Sequence, residues 1–386
     1  MKNKIKEFTK SVEKKVIAHR RHLHMYPEIS FNETETSVYI RAELDKLGIK
    51  YTTIANSVIG RIKGIKPGKT VAFRADIDAL ALQEQNDVPY RSKNNGAMHA
   101  CGHDGHTAAL LGLAEVFAEN PDLINGEVFF IFQHAEEMLP GGAIALIENN
   151  IMDDIDTIFG IHLWPDLNTG TIGYTRGPMM ACTDRFNISL KGQGGHGSAP
   201  QSTKDSLLAG TALVQQLQSI ISRNVPPLVP AVLSVCYFNS GSAFNIIPES
   251  CNFGGTIRTC DEATRALIKQ RIQKIAECTA AAYDIELEIN YAEGYPALVN
   301  DADTVDKAVV KISEITDHQM EEVTPVMGGE DFAYFTQKKP GAYFFVGCRN
   351  KEKGLSNAIH TPLFDIDEEA LAVSVAAFLG MYFSVN

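Results

Sequence analysis

Apolar residues recur along this chain in two rhythms, and the change between them outlines its elements. From Ile5 to His24 they fall at helical spacing, with Ile5, Phe8, Val12, Val16 and Leu23 on one stripe, and Pro27 stops the run. Asn32 with Glu35 three residues on reads as a capping signal for a second helix, which Gly48 ends at a left-handed position. Beyond it, Thr70 to Asp78 is an apolar strand that turns acidic at its C-terminal end, and Thr107 to Phe117 is an apolar helix. Glu127 to Gln133 is a strand apolar on both faces, Gly141 and Gly142 permit a turn into another helix, and Thr157 to Ile161 is a buried strand ending at His162. Strand, helix, strand, helix, strand predicts a doubly wound α/β domain, whose functional groups gather outside the carboxyl ends of its strands.

The rhythm changes again after Pro178. Phe186 to Leu190, Lys204 to Ile221, Ala231 to Phe238, Asn252 to Thr259, Glu262 to Tyr283 and Ile285 to Tyr291 read as βαββαβ, a ferredoxin-like unit. Past Pro296 the α/β texture returns, with helices near 303–315 and 367–382 and a strand at 342–346. The expected organisation is therefore a discontinuous α/β domain with a mixed sheet, residues 1–181 and 295–386. A small domain of 182–294 is inserted in it, with hinges near Gly177-Pro178 and Gly294-Tyr295-Pro296.

Composition narrows the class. A chain of 386 residues exceeds the roughly 250 to 300 that one core comfortably serves, and 45% apolar with 21% charged residues is ordinary for a soluble globular protein. The net charge of −12 disfavours nucleic acid and anionic membrane surfaces as partners. The charged start, Met1-Lys2-Asn3-Lys4, lacks the apolar core of a signal peptide, and no apolar run approaches the roughly 20 residues of a spanning helix. Seven cysteines, odd in number and scattered, suit a reducing compartment, so a cytoplasmic location is expected.

Candidate chemistry concentrates in Met98-His99-Ala100-Cys101-Gly102-His103-Asp104-Gly105-His106. Three of the chain's 11 histidines, a thiol and a carboxylate crowd there. Cys101 and His103 at i, i+2 share one face of an extended segment, and thiolate with imidazole is a metal-ligand pair. The plain alternative is a polar loop whose histidines are solvated or cap the following helix. Asp76 and Asp78 share a face at a strand end, while Glu136 and Glu137 follow an all-apolar strand. Of two neighbouring carboxylates, one can coordinate a cation while the other works as general acid and base. With Glu137, His162 and His360, the pair Cys101 and His103 makes five ligand candidates, enough for two ions sharing a bridging ligand.

Six ordered segments together resemble the M20 metallopeptidase family, nearly end to end. They are Phe73-Arg74-Ala75-Asp76-Ile77-Asp78-Ala79-Leu80, His99-Ala100-Cys101-Gly102-His103-Asp104-Gly105-His106, Phe132-Gln133-His134-Ala135-Glu136-Glu137, Gly160-Ile161-His162-Leu163-Trp164-Pro165, Gly194-Gly195-His196-Gly197-Ser198-Ala199-Pro200 and Gly328-Gly329-Glu330-Asp331-Phe332. The nearest branch resembles its amidohydrolases, which include aminoacylases, hippurate hydrolases and auxin-conjugate hydrolases. The resemblance implies two divalent ions (zinc, manganese, cobalt or nickel) held by Cys101, His103, Glu137, His162 and His360, with Cys101 in the bridging place. It implies Glu136 as general base, His196 as oxyanion stabiliser, Arg258 as clamp for a substrate carboxylate, Asn245 as a supporting contact and Asp78 behind the ligands. Asp76 falls where other branches carry a ligand histidine and stays outside the ligand set. His106 is expected to cap the following helix.

By the same resemblance the inserted unit is a lid and dimerisation domain, making a homodimer or higher homo-oligomer. The implied activity is hydrolysis of N-acyl amino acids to a free amino acid and a carboxylic acid, with cleavage of dipeptides or longer peptides as the alternative. Composition alone also leaves open a cysteine hydrolase using Cys101 with His103, and a structural zinc protein. One residue departs from the family pattern: His134 stands where many relatives carry proline.

Overall fold

The structure, a computed structural model, describes all residues from Met1 to Asn386. Its contacts divide into two compact units, one of Met1–Met179, Val299–Thr324 and Asp331–Asn386, the other of Met180–Leu298 and Pro325–Glu330.

The larger unit begins with α1 (Lys2–Met25), α2 (Thr34–Lys46), β1 (Lys50–Ile54), β2 (Ser57–Lys63), β3 (Lys66–Asp76), α3 (His103–Glu119), β4 (Asn125–Gln133), α4 (Gly142–Glu148), β5 (Thr157–Asn168) and β6 (Thr171–Tyr174). The smaller unit contributes β7 (Asp184–Lys191), α5 (Ser206–Arg223), β8 (Ala231–Ser240), β9 (Ser250–Thr259), α6 (Glu262–Ala282) and β10 (Glu286–Ala292). The chain then returns to the larger unit with α7 (Ala302–Ile315), β11 (Gln319–Glu322), β12 (Gly341–Arg349) and α8 (Glu369–Val385).

Eight strands of the larger unit form one mixed sheet in the order β1-β2-β4-β3-β5-β12-β6-β11. Its centre is parallel: β3 pairs with β4 and β5, and β5 pairs with β12, all in the same direction. Such strands are covered on both faces, which is why β3 from Val71 and β4 from Val128 are continuously buried. One core joins Val71, Phe73, Val128, Phe130 and Phe344 to α1, α3, α7 and α8. Helix α3 is buried almost all round, and α8 likewise. No helix of the chain is long and apolar enough to cross a membrane.

The smaller unit has a four-stranded antiparallel sheet in the order β8-β9-β7-β10. Its strands alternate, as one-sided sheets do: Phe186, Ile188 and Leu190 face a core with α5 and α6 while Arg185, Asn187 and Lys191 are exposed. Asp205 and Asp261 cap those helices through Leu208 N and Thr264 N at 2.9 and 2.8 Å.

Several expectations are corrected. The antiparallel pair β1–β2 and the short strands β6 and β11 were not anticipated from the pattern. Asn32 does not cap α2; the Glu28 carboxylate takes Thr36 N at 2.8 Å and Glu35 N at 3.2 Å from outside the helix. Gly48 does follow its end at φ +67°. Helix α3 starts four residues earlier than the apolar run suggests, at His103. Strand β5 continues past Ile161 to Asn168, so His162 lies inside a strand and not at its end.

Candidate metal centre

Sheet register and one helix start bring the candidates of the larger unit together. Asp76 of β3 stands opposite Gln133 of β4, and Arg74 opposite Gly160 of β5, so the ends of β3 and β4 lie near the level of His162. Ile77-Asp78 and Glu136-Glu137 run on from those ends. Cys101 and His103 do not converge across an extended segment, as their spacing suggests. Gly102 adopts φ +90° and is followed at once by α3, a left-handed turn that glycine makes without a steric cost.

Cys101 Sγ lies 3.4 Å from His162 Nε2. His360 Nε2 is 3.2 Å from Glu137 Oε1, and His103 Nε2 is 3.9 Å from that oxygen and 4.0 Å from Glu136 Oε2. The potential ligand atoms of Cys101, His103 and His162 all lie within 4.8 Å of one another, and so do those of Cys101, Glu137 and His360. Cys101 is common to both triplets. His360 reaches the cluster from a loop in which it adopts φ +61° while its N–H donates to Ala100 O at 2.7 Å.

Two donor atoms at the centre, His103 Nε2 and Glu137 Oε1, are buried without a hydrogen-bond partner; the approach of His360 to Glu137 lacks hydrogen-bond geometry. An orphaned buried polar atom costs about 1–3 kcal/mol, so a ligand is called for. Thiolate, imidazole and carboxylate together fit a divalent cation. His99 is also buried with both ring nitrogens unpartnered, but it belongs to none of these groups, and burial lowers it to about 4, hence neutral.

Hydrogen bonds aim the ligand atoms from behind. His103 Nδ1 faces Asp78 O at 2.9 Å and Asp78 Oδ1 at 3.3 Å, while Asp78 Oδ2 accepts from Ser30 Oγ at 2.7 Å and Glu137 N at 3.0 Å. His162 Nδ1 donates to Leu163 O at 2.8 Å, leaving Nε2 toward Cys101. Burial and the neighbouring His106 ring hold His162 well below the ordinary imidazole value, in the neutral form a ligand needs. Burial opposes charge on His103, but Asp76, Asp78 and Glu137 outweigh it and raise it to about 10, so a cation would replace a proton there. Burial, reinforced by Glu137 and Glu136, pushes the Cys101 thiol well above its usual value. That is the opposite of a nucleophilic cysteine, and its sulfur neighbour is His162 rather than His103.

Asp76 and His106 sit beside this cluster with their atoms engaged. Asp76 Oδ1 takes His106 Nδ1 at 2.6 Å and Oδ2 takes Arg74 Nη1 at 2.6 Å, while His106 Nε2 accepts from Leu163 N at 2.8 Å. His106 therefore lies within the first turn of α3 and ties it to β3 and β5 instead of capping it. Arg74 also donates to Gln133 and to Asp331 at 2.9 and 2.7 Å. Sequence reading left Arg74 and Asp331 without a role, although a guanidinium in the middle of an apolar strand is itself a signal.

Of the remaining candidates, three lie on the smaller unit. His196 is exposed in a two-residue strand pairing with Ile246–Ile247, and its Nδ1 accepts from Ser198 N at 3.2 Å. Asn245 closes the same turn, its carbonyl accepting from Gly197 N at 2.8 Å. Arg258 of β9 is half-buried and donates to Ile257 O at 2.9 Å and to Thr256 Oγ1 on its own strand.

Comparison with known proteins identifies the family. The profile of "Peptidase family M20/M25/M40" matches residues 72–382. An N-acyl-L-amino acid amidohydrolase of Geobacillus stearothermophilus is 44% identical over 301 residues, 78% of this chain and 81% of the relative. Thermostable carboxypeptidase 1 of Saccharolobus solfataricus is 40% identical over 379 residues, 97% and 96% of the two chains. Among solved structures, a dinuclear metal-binding peptidase of the M20 family from Bacillus subtilis superposes with a TM-score of 0.85 at 34% identity, covering 97% of this chain and 98% of that one. The chain thus belongs to peptidase family M20/M25/M40.

Proposed function

We propose that this protein is a metal-dependent amidohydrolase that cleaves N-acyl amino acids, of N-acetyl or N-benzoyl type, to a free amino acid and a carboxylic acid. The observation that carries the reading is the pair of buried, unpartnered donor atoms on His103 and Glu137 beside a second carboxylate, Glu136. Cys101, His103, Glu137, His162 and His360 would hold two divalent ions, of zinc, manganese, cobalt or nickel, with Cys101 shared: its sulfur is grouped with His103 and His162 on one side and with Glu137 and His360 on the other. When bound, such ions supply positive charge that acidifies water and polarises an amide carbonyl.

The chain's own residues do the rest. Glu136 takes the proton of the attacking water and passes it to the leaving amine. Asp78 fixes the tautomer of His103 and the place of the Glu137 main chain. His196 donates to the developing oxyanion. Arg258 pairs with the substrate carboxylate, with Asn245 supporting the same contact.

The smaller unit serves in this reading as a ferredoxin-like lid and dimerisation domain, 182–294, inserted in a catalytic domain of 1–181 and 295–386. The strand order β8-β9-β7-β10 with both helices on one core supports it. So do exposed Leu207, Leu208, Tyr237 and Phe238 on α5 and the edge strand β8, suited to a second copy of the chain. Seven unpaired cysteines support a cytoplasmic location.

The test is an activity panel of N-acetyl amino acids, N-benzoyl amino acids and dipeptides on enzyme stripped of metal and reloaded with each ion. Turnover of acyl amino acids should vanish on stripping and return on loading; turnover that survives chelation sinks the reading. A second reading, a peptidase acting on dipeptides or longer peptides, is favoured by the carboxypeptidase relative, and faster dipeptide cleavage in the panel would establish it.

A further inference from the structure

The turn that carries Glu136 is held by side chains from outside its own strand. Ser57, fully buried at the start of β2, is placed beside the end of β4 by the pairing of Val58 with Phe132. Its Oγ accepts from His134 N at 3.1 Å and lies 2.7 Å from His134 Nδ1. A hydroxyl has one proton and two acceptor sites, so Ser57 Oγ can take the His134 N–H and also bond Nδ1 of a neutral His134 ring. Burial keeps the His134 pKa below the ordinary imidazole value, consistent with that neutral form.

The next residue, Ala135, adopts φ +50°, a left-handed conformation costing a residue with a Cβ about 1–2 kcal/mol. Its N–H donates to Glu33 Oε1 at 2.8 Å, and its carbonyl accepts from Gly142 N at 3.0 Å. Glu33, also fully buried, is itself held: Oε1 accepts from Phe31 N at 2.9 Å and Oε2 from Asn56 Nδ2 at 2.9 Å. The His134 carbonyl accepts from Gln133 Nε2 at 3.3 Å, and a Cβ on Gly142 would stand 1.8 Å from that oxygen. A strained residue persists only where its surroundings over-determine it, and here the strain sits one residue before Glu136.

We propose that Ser57, His134 and Glu33 are positioning residues that clamp the left-handed turn at Ala135 and so fix where the Glu136 carboxylate stands. This rests on Glu136 being the general base. None of the three is a ligand candidate; the clamp acts through the main-chain N–H groups of residues 134 and 135 and through the contact of the His134 ring with Ser57. Its function is to keep Glu136 on the proton path when Glu137, the next residue, is drawn to a cation.

The experiment is steady-state kinetics with an N-acetyl amino acid on fully metal-loaded variants, with metal content and thermal transition measured on the same samples. S57A and E33A should lower kcat by about 10- to 100-fold, the effect of a base misplaced by an ångström or so, with KM and metal content near wild type. S57T, which keeps the hydroxyl oxygen, and E33Q, which keeps one oxygen for Ala135 N and Phe31 N but loses the acceptor for Asn56 Nδ2, should restore most of the loss. In an E136Q background, S57A should cost nothing further.

Unchanged kcat in S57A and E33A, or a loss that follows metal content or folded fraction, overturns the proposal. Should S57A fail to fold, H134A still removes the ring contact while leaving the main-chain N–H, and unchanged turnover there overturns it equally. Near-normal activity of E136Q alone would break the reading of Glu136 instead and is seen separately.

Discussion

Two clusters that share histidine and carboxylate lie side by side in the larger unit, one buried throughout and the other reached by the exposed His360, and they differ in what their atoms lack. In one, Asp76, His106 and Arg74 spend their polar atoms on each other, on Leu163 N and on Asp331. In the other, Cys101, His103, Glu137, His162 and His360 converge within a few ångströms while His103 Nε2 and Glu137 Oε1 lack a hydrogen-bond partner. Residue identity does not separate them, since histidine and carboxylate populate both. Hydrogen-bond satisfaction does: a saturated cluster is a brace, and an unsatisfied one awaits a ligand.

The largest test of that contrast is E136Q, which leaves the ligand atoms in place. Turnover should fall by about 10²- to 10⁴-fold with metal content unchanged, read by kinetics and elemental analysis; near-normal turnover would merge Glu136 with the structural set. Next is D76N in the saturated cluster. Arg74 keeps its pair with Asp331 but loses a charged acceptor, which should cost about 1.5–3 kcal/mol of stability, measured by denaturant unfolding, while the folded fraction still loads its full metal complement. A loss of metal without a loss of stability would show that Asp76 was misplaced.

D78A tests the support behind the unsatisfied cluster, because Asp78 aims His103 and holds Glu137 N. Metal affinity should fall about 10- to 100-fold, measured by competition with a chelating dye; unchanged affinity would mean the ligands aim themselves.

The smallest effect concerns pH. His24 is buried, its Nδ1 2.8 Å from Asp104 and its Nε2 3.2 Å from Glu84. Burial and Arg20 oppose its charge, but the two carboxylates prevail and its pKa is raised above 6.5. A group raised on folding contributes fully below its unfolded value and loses that contribution as pH climbs through the folded value. Stability should therefore decline on the alkaline side, by about 1.4 kcal/mol per pH unit between those two values. H24Q should flatten that decline in unfolding curves taken from mildly acidic to alkaline pH, and an unaltered slope would assign the decline elsewhere.

Much of this was legible in the primary structure, and the reasons are local. Apolar runs at Thr70–Asp78 and Glu127–Gln133 fixed two central strands, because a parallel strand buried on both faces must be continuously apolar. The crowding of Cys101, His103 and His106 marks this segment as rich in ligand-type residues. What misled was also local: Cys101 and His103 suggested an extended pair, while a left-handed Gly102 and the start of α3 bring them together. His106 suggested a helix cap, yet its two nitrogens serve Asp76 and Leu163. Glu33 and Ser57 gave no signal at all, since a glutamate before a helix and a serine opening a strand are ordinary until Ala135 N and His134 N arrive beside them.

By itself, then, the sequence determined most of the helices and the central strands and which stretch is rich in ligand types, for periodicity and composition are properties of neighbours along the chain. Only the tertiary structure decided which of those side chains are left unsatisfied. Hydrogen-bond partners such as Asp76 with His106, Arg74 with Asp331, and Glu33 with Ala135 are separated by 30, 257 and 102 positions, and no local pattern specifies what meets across such distances.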